Sequence, residues 1–219
     1  MGPRRTIAAL GLALGVGVAV AGCAGAPEPP RGDGIRVAFY GDSYTLGTGA
    51  SDPAVRWSTV ICVKRSWSEF NPSVNGLGFI NNRSDFGEGD LPSMVIADDP
   101  DIVFVTMGLN DNFSYDYAAD RIREQITADF ERLTTALPDA RFIVVEPFWY
   151  TDQRPESVEI IIGWVRDAAA DIGAHYIPGA SHWIEGHPEW LAADGLHPND
   201  AGYAEMAERM EVELANLGL

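Results

Sequence analysis

Residues 35–49, "IRVAFYGDSYTLGTG", set a short hydrophobic run against a small polar knot. The run "IRVAFY" reads as a strand buried on both faces, the kind found inside a parallel sheet covered by helices. Gly41, Asp42 and Ser43 arrive as it ends, and Gly47 and Gly49 follow. In isolation this is a serine after a strand, and a turn explains it. Similar runs recur at 101–107 ("DIVFVTM") and 141–147 ("RFIVVEP"), with a shorter one at 175–178 ("HYIP"). Between them lie helical patterns. Trp57 to Trp67 is one candidate. Tyr115, Ile122, Ile126, Phe130, Leu133 and Leu137 mark another, at amphipathic spacing. Residues 155–172 repeat the theme, and a last helix spans 199–217 with Asn199 or Asp200 as its cap. Alternating strands and helices predict an α/β fold with a mainly parallel sheet, whose ligands sit beyond the carboxyl ends of the strands.

A length of 219 residues suits one domain with a full core, and 46% hydrophobic content is that of a globular chain. The formal charge of -17 argues against a nucleic-acid partner, because phosphate backbones require clustered Lys and Arg. It equally disfavours electrostatic docking on anionic lipid.

The N-terminus has its own logic. Arg4 and Arg5 precede "IAALGLALGVGVAV", an uncharged stretch too short for an ordinary membrane span, and Ala21, Gly22 and Cys23 follow. This is the pattern of an export signal. "VAGC", Val20 to Cys23, resembles a bacterial lipobox, which implies cleavage before Cys23 and its lipidation. An ordinary secretory signal with an incidental cysteine is the alternative. Removing residues 1–22 takes away two arginines and no acid, leaving 13 bases against 32 acids, or -19. "AGAPEPPRGD", residues 24–33, reads as a tether, so the expected organisation is signal 1–22, lipid-anchored tether 23–34 and one domain 35–219. The chain is then exported, and membrane-bound only through its lipid. Cys62, inside the apolar run "TVICVK", reads as a small buried hydrophobe.

Four places stand at or beside strand ends: Gly41-Asp42-Ser43, "SVNGLGFI" (73–80), "GLND" (108–111) and "DGLHPND" (194–200). A serine hydroxyl is a poor nucleophile unless a base takes its proton. Of the four histidines, His175, His182, His187 and His197, only His197 has an acid three residues earlier in a glycine-containing loop. Asp194 at that spacing can curl back and fix the imidazole tautomer. The same spacing equally describes polar loop residues. Glycine lets a backbone N–H approach an oxyanion, and Asn offers a side-chain donor. Gly76, Asn110 and the Ser43 N–H supply such donors.

The ordered set "GDSY", "NPSVNGLGF", "GLND" and "DGLHPN" resembles the SGNH (GDSL-type) hydrolase family across nearly the whole domain. That resemblance implies a three-layer, flavodoxin-like α/β/α sandwich and ester hydrolysis with no metal or other cofactor. Carried onto this chain, Ser43 is the nucleophile, His197 the general base and Asp194 its partner. Ser43 N–H, Gly76 N–H and the Asn110 side chain form the oxyanion hole. Two departures stand out. Tyr44 occupies a position where a Leu is common, and aligning the second block two residues later selects Gly78 instead of Gly76.

Two other readings remain at this level. Asp42 and Asp111 with Asp194 and His197 form the makings of a carboxylate–His metal cluster, as in metal-dependent phosphoesterases, although a single histidine argues against it. A non-catalytic lipoprotein that binds envelope glycans through Tyr44, Phe148, Trp149, Tyr150 and Trp183 is the other. Core packing accounts equally well for those aromatics. The substrate is unassigned among acetylated polysaccharide, short-chain lipid ester, lysophospholipid and thioester, and oligomeric state is unreadable.

Overall fold

A computed structural model of the chain describes Gly2 and residues 34–86 and 89–219. The expected export segment beyond Gly2, Cys23 and the expected tether up to Asp33 lie outside the described residues.

Five parallel strands form the sheet: β1 (Arg36–Gly41), β2 (Ser68–Phe70), β3 (Ile102–Thr106), β4 (Arg141–Val145) and β5 (His175–Ile177). Their order is β2-β1-β3-β4-β5. From β1 the chain moves outward to β2 and then returns to the other side of β1 for β3. The direction of winding therefore reverses between β1 and β3, where such sheets open a crevice. These two strands pair in register from Val37 opposite Ile102 to Gly41 opposite Thr106. The three long runs are buried along almost their whole length, as strands covered on both faces must be.

Among the described residues six α-helices accompany the sheet: α1 (Ser43–Leu46), α2 (Trp57–Arg65), α3 (Leu91–Asp98), α4 (Tyr115–Ala136), α5 (Glu156–Asp171) and α6 (Asp200–Asn216). Alternate strand residues divide the core in two. Val37, Phe39, Phe104 and Val145 pack with Trp57, Ile61 and Cys62 of α2 and with Met206, Met210 and Leu214 of α6. Ala38, Tyr40, Val105 and Val144 face Val95 of α3, Ile122, Ile126 and Phe130 of α4, and Val165 of α5. The result is the three-layer sandwich implied by the sequence. The Cys62 thiol is buried and its pKa is pushed well up by that burial, so it behaves as a hydrophobe.

One ion cluster anchors the segment after β2. Tyr40 Oη donates to Asp129 Oδ2 at 2.5 Å. Arg83 grips the same carboxylate with both guanidinium ends at 2.6 and 2.8 Å, and its Nη1 also donates to the Phe79 carbonyl at 3.2 Å. The two-pronged pairing satisfies a buried acid that would otherwise be costly to desolvate. It ties residues 79–83 to α4 beneath the sheet.

The chain must turn sharply after β1, and Gly41 makes room for that turn. A side chain there would put a Cβ 2.6 Å from Thr45 Cβ and still closer to Thr106 Oγ1. Those two threonine hydroxyls meet at 2.5 Å, closing α1 onto the end of β3. Gly41→Ala therefore overpacks the junction and should destabilise the protein by about 1–3 kcal/mol. A thermal melt is the check: the midpoint falls by several degrees, whereas an unchanged midpoint would show that the junction has slack.

Candidate active site

The exit from β1 builds the first part of the site. Asp42 is the N-cap of α1, with Oδ1 accepting the Tyr44 N–H at 3.0 Å. Ser43 is thereby held as the first helical residue, where a backbone N–H has no intrahelical acceptor. Among the described residues neither the Ser43 N–H nor its Oγ has a hydrogen-bond partner, although the residue is only 3% exposed. Asp42 itself is buried, and desolvation raises its pKa to about 7 against the opposing pull of its backbone hydrogen bonds.

Residues 71–81 fold back against this turn. Asn71 Nδ2 donates to the Thr45 carbonyl at 2.8 Å, the Val74 N–H to the Gly41 carbonyl at 3.3 Å, and Thr48 Oγ1 to Asn75 Oδ1. Gly76 has φ +69°, a left-handed conformation that favours glycine. Its carbonyl accepts from Asn81 Nδ2 and Asn82 Nδ2 at 2.8 and 3.1 Å. Its N–H donates to none of the described residues. Gly78 differs: its N–H is already bonded to the Asn81 carbonyl at 2.9 Å, and a Cβ there would lie 2.6 Å from the Asp111 carboxylate. Gly78 is thus small because Asp111 needs the space.

The exit from β3 supplies the third part. Asn110 opens a short 3-10 turn, Asn110–Ser114, and is 6% exposed. Its Nδ2 donates to the Leu77 carbonyl at 3.0 Å and lies 3.4 Å from Asp42 Oδ2, so its amide spans the first and second parts. Asp111 accepts the N–H groups of Phe79, Ile80 and Asn81 at 2.7, 2.8 and 3.2 Å. Burial raises its pKa to about 6, with those donors pulling the other way. Asp42 and Asp111 are thus loop-holding acids. No group of three or more His, Cys, Asp and Glu side chains placed to hold a metal occurs among the described residues.

The fourth part arrives just before α6. Asn199 caps that helix by accepting from the Ala201 and Gly202 N–H groups at 2.9 and 3.1 Å. Ahead of it, Asp194 wraps His197. Asp194 Oδ1 accepts the Leu196 and His197 N–H groups at 2.9 and 3.0 Å, and Oδ2 meets His197 Nδ1 at 2.7 Å. The carboxylate requires the proton on Nδ1, so Nε2 carries the lone pair and is the basic nitrogen. The hydrogen bond to His197 is the main cause that lowers the Asp194 pKa to about 2. Gly49 lets the segment after α1 pass against this loop, since a Cβ there would strike the Pro198 carbonyl and come 3.2 Å from His197 Cβ. Ser51 Oγ donates to Asp200 Oδ2 at 2.6 Å and Tyr203 Oη to the Thr48 carbonyl at 2.8 Å, stitching the two segments together.

Hydrogen bonds thus link the first three blocks across the β1 and β3 exits, and the fourth block meets the segment from Tyr44 to Ser51. Among the described residues, no hydrogen bond joins Ser43 Oγ to His197. Of the other histidines, His182 pairs with Glu185, and His187 pairs with Glu189 and stacks on Trp190. The aromatics, which the sequence leaves open between a binding role and core packing, are largely core. Tyr44, Phe148, Trp149 and Trp183 are buried in the core, with Phe148 stacked on Tyr44 at 5.7 Å and tilted against Trp183 at 5.8 Å. The exposed aromatics nearest Asn110 in the chain are Phe113 and Tyr117, which hydrophobic patterning had not singled out.

Comparison with known proteins bears on the fold and the family. Residues 39–205 match the GDSL-like Lipase/Acylhydrolase family. The GDSL lipase Rv0518 of Mycobacterium tuberculosis is 28% identical over 182 residues, covering 80% of this chain and 79% of that protein. The psychrotrophic esterase EstA from Pseudoalteromonas superposes with a TM-score of 0.66 at 15% identity, over 84% of this chain and 98% of its own. The acetylxylan esterase Axe2 from Geobacillus stearothermophilus gives 0.58 at 18% identity, over 80% and 92%. The chain is a serine ester hydrolase belonging to the GDSL-like lipase/acylhydrolase family.

Proposed function

We propose that the protein hydrolyses carboxylic esters carrying short acyl groups, O-acetyl groups among them, through Ser43, His197 and Asp194. Ser43 Oγ forms a bond to the ester carbonyl carbon as its proton passes to His197 Nε2. The carbonyl π electrons move onto oxygen, and the anion is met by the N–H groups of Ser43 and Gly76 and by Asn110 Nδ2. Collapse breaks the bond to the leaving alkoxide, which takes the proton from His197. A water then repeats the sequence on the acyl-serine, releasing the acid and restoring Ser43. Asp194 keeps the imidazole in one tautomer and offsets its transient charge.

The observation that carries this reading is the Asp194–His197 hydrogen bond at 2.7 Å, which leaves Nε2 as the base. A serine whose hydroxyl and N–H have no partner among the described residues supports it. The unused N–H of Gly76, set against the bonded N–H of Gly78, favours Gly76 as the oxyanion donor. A single donor of this kind typically accounts for a factor on the order of 10²–10³ in rate. Asn110 needs only to turn its weak 3.4 Å contact with Asp42 toward the oxyanion while keeping its bond to Leu77. Similarity to an esterase and an acetylxylan esterase favours small acyl groups and acetylated glycans as substrates.

The N-terminal features extend the proposal to location. Residues 1–22 direct export, Cys23 carries lipid, residues 23–34 are a tether, and 35–219 form the catalytic domain facing an extracytoplasmic substrate. Lipid on Cys23 is the sole membrane attachment in this reading, and no metal or organic cofactor takes part.

Two outcomes test these readings. Ser43→Ala should lose turnover of p-nitrophenyl acetate with its melting curve intact, while the wild type keeps full activity in EDTA. Retained activity in that variant would remove the mechanism. For the anchor, Cys23→Ala should shift the protein from the membrane fraction to the soluble fraction of a bacterial host, and an unchanged distribution would refute it.

A further inference from the structure

Tyr44 follows the proposed nucleophile directly and stands where the family pattern commonly has leucine. Its ring is buried, stacked on Phe148 with an interplanar angle of 16°. Its hydroxyl donates to the Leu196 carbonyl at 2.6 Å, across 152 residues of sequence. That carbonyl shares a peptide plane with the His197 N–H, and the N–H is held by Asp194 Oδ1 at 3.0 Å. The plane leading into His197 is therefore gripped at both ends, by Tyr44 on the carbonyl side and by Asp194 on the amide side.

Tyr44 is itself fixed from the opposite direction. Its N–H donates to Asp42 Oδ1 and its carbonyl accepts from Trp57 Nε1, both at 3.0 Å. The hydroxyl thus forms a short brace from a rigid point one residue after Ser43 to a point one residue before His197. A leucine fills part of the same space but has no donor.

We infer that Tyr44 is a positioning residue that sets the placement of His197 relative to Ser43, a role that rests on the Ser43–His197 mechanism proposed above. Without the hydroxyl, Asp194 still fixes the tautomer, but the base loop loses its direct brace to the nucleophile turn. Proton transfer depends steeply on that placement, and a misplacement near 1 Å costs about 10²-fold. Substrate binding is expected to change little, because the hydroxyl is spent on the Leu196 carbonyl.

Tyr44→Phe removes one oxygen and keeps the ring. With p-nitrophenyl acetate, kcat should fall about 10- to 100-fold while KM stays within about threefold. Tyr44→Leu, which installs the common family residue, should lower kcat in the same way. Tyr40→Phe is the matched control: it also deletes a buried tyrosine hydroxyl, here one bonded to Asp129 in the opposite layer, leaves Asp129 gripped by Arg83, and does not touch the His197 peptide. It should lose stability with kcat retained. Wild-type kcat in Tyr44→Phe, or equal losses of kcat in the two Tyr→Phe variants, would overturn the inference. Ser43→Ala separates the levels. If it is inactive while Tyr44→Phe turns over normally, only the role of Tyr44 falls; if it stays active, the mechanism beneath falls too.

Discussion

The parallel pairing of β1 with β3 is the constraint from which the site follows. Gly41 lies opposite Thr106, so two strands end side by side and the chain leaves each at the same edge of the sheet. The Thr45–Thr106 hydroxyl contact then folds α1 down between the exits. Asn110 at one exit then meets Asp42, the residue before Ser43, at the other, although 68 positions separate the pair in sequence. The histidine loop joins through the segment that follows α1, by way of Gly49, Ser51 and Asp200. Lateral support comes from Arg83 and Asp129, which hold the segment bearing Gly76 and Gly78 to the opposite layer.

The carboxylates show how environment divides the work of one side-chain type. Asp194 stands at the surface, accepts two backbone N–H groups and meets the imidazole, and its pKa is lowered to about 2. In the proposed mechanism that ionised state is the one an orienting acid needs. Asp42 and Asp111 sit behind the strand ends, where burial raises their pKa values to about 7 and 6. Their hydrogen bonds go to the backbone of the loops and to Asn110. Chemistry faces outward in this arrangement, and scaffolding carboxyls stand behind it.

Much of this was legible in the sequence because its causes are local. Doubly apolar runs gave β1, β3, β4 and β5 within a residue or two, amphipathic spacing gave α4 and α5, and Asn199 announced α6 by its cap. Asp194 and His197 sit three residues apart, so their contact could be read from spacing. What escaped depends on distant parts of the chain. Ser68–Phe70 is a three-residue edge strand, too short for a period, whose identity comes from pairing with β1. Leu91–Asp98 is a short helix capped by Asp90 with Pro92 in its first turn, too brief beside the glycine-rich block for its period to stand out. The aromatics Phe148, Trp149 and Trp183 follow strands just as mouth residues do. Phe148 is turned inward by rings of Tyr44, Trp57 and Trp183 that lie far from it in sequence. The bond from Tyr44 to Leu196 has no local signature whatever.

The central claim is that Ser43 becomes covalently bonded during turnover. Phosphonate esters with a good leaving group phosphonylate activated serine hydroxyls, which makes such an ester the natural probe of the proposed nucleophile. The purified protein, treated with such a reagent and digested, should show one phosphonyl adduct by mass spectrometry. That adduct should fall on the peptide containing Ser43 and appear in step with the loss of ester hydrolysis. An adduct on any other residue, or complete inhibition with Ser43 unmodified, would contradict the account.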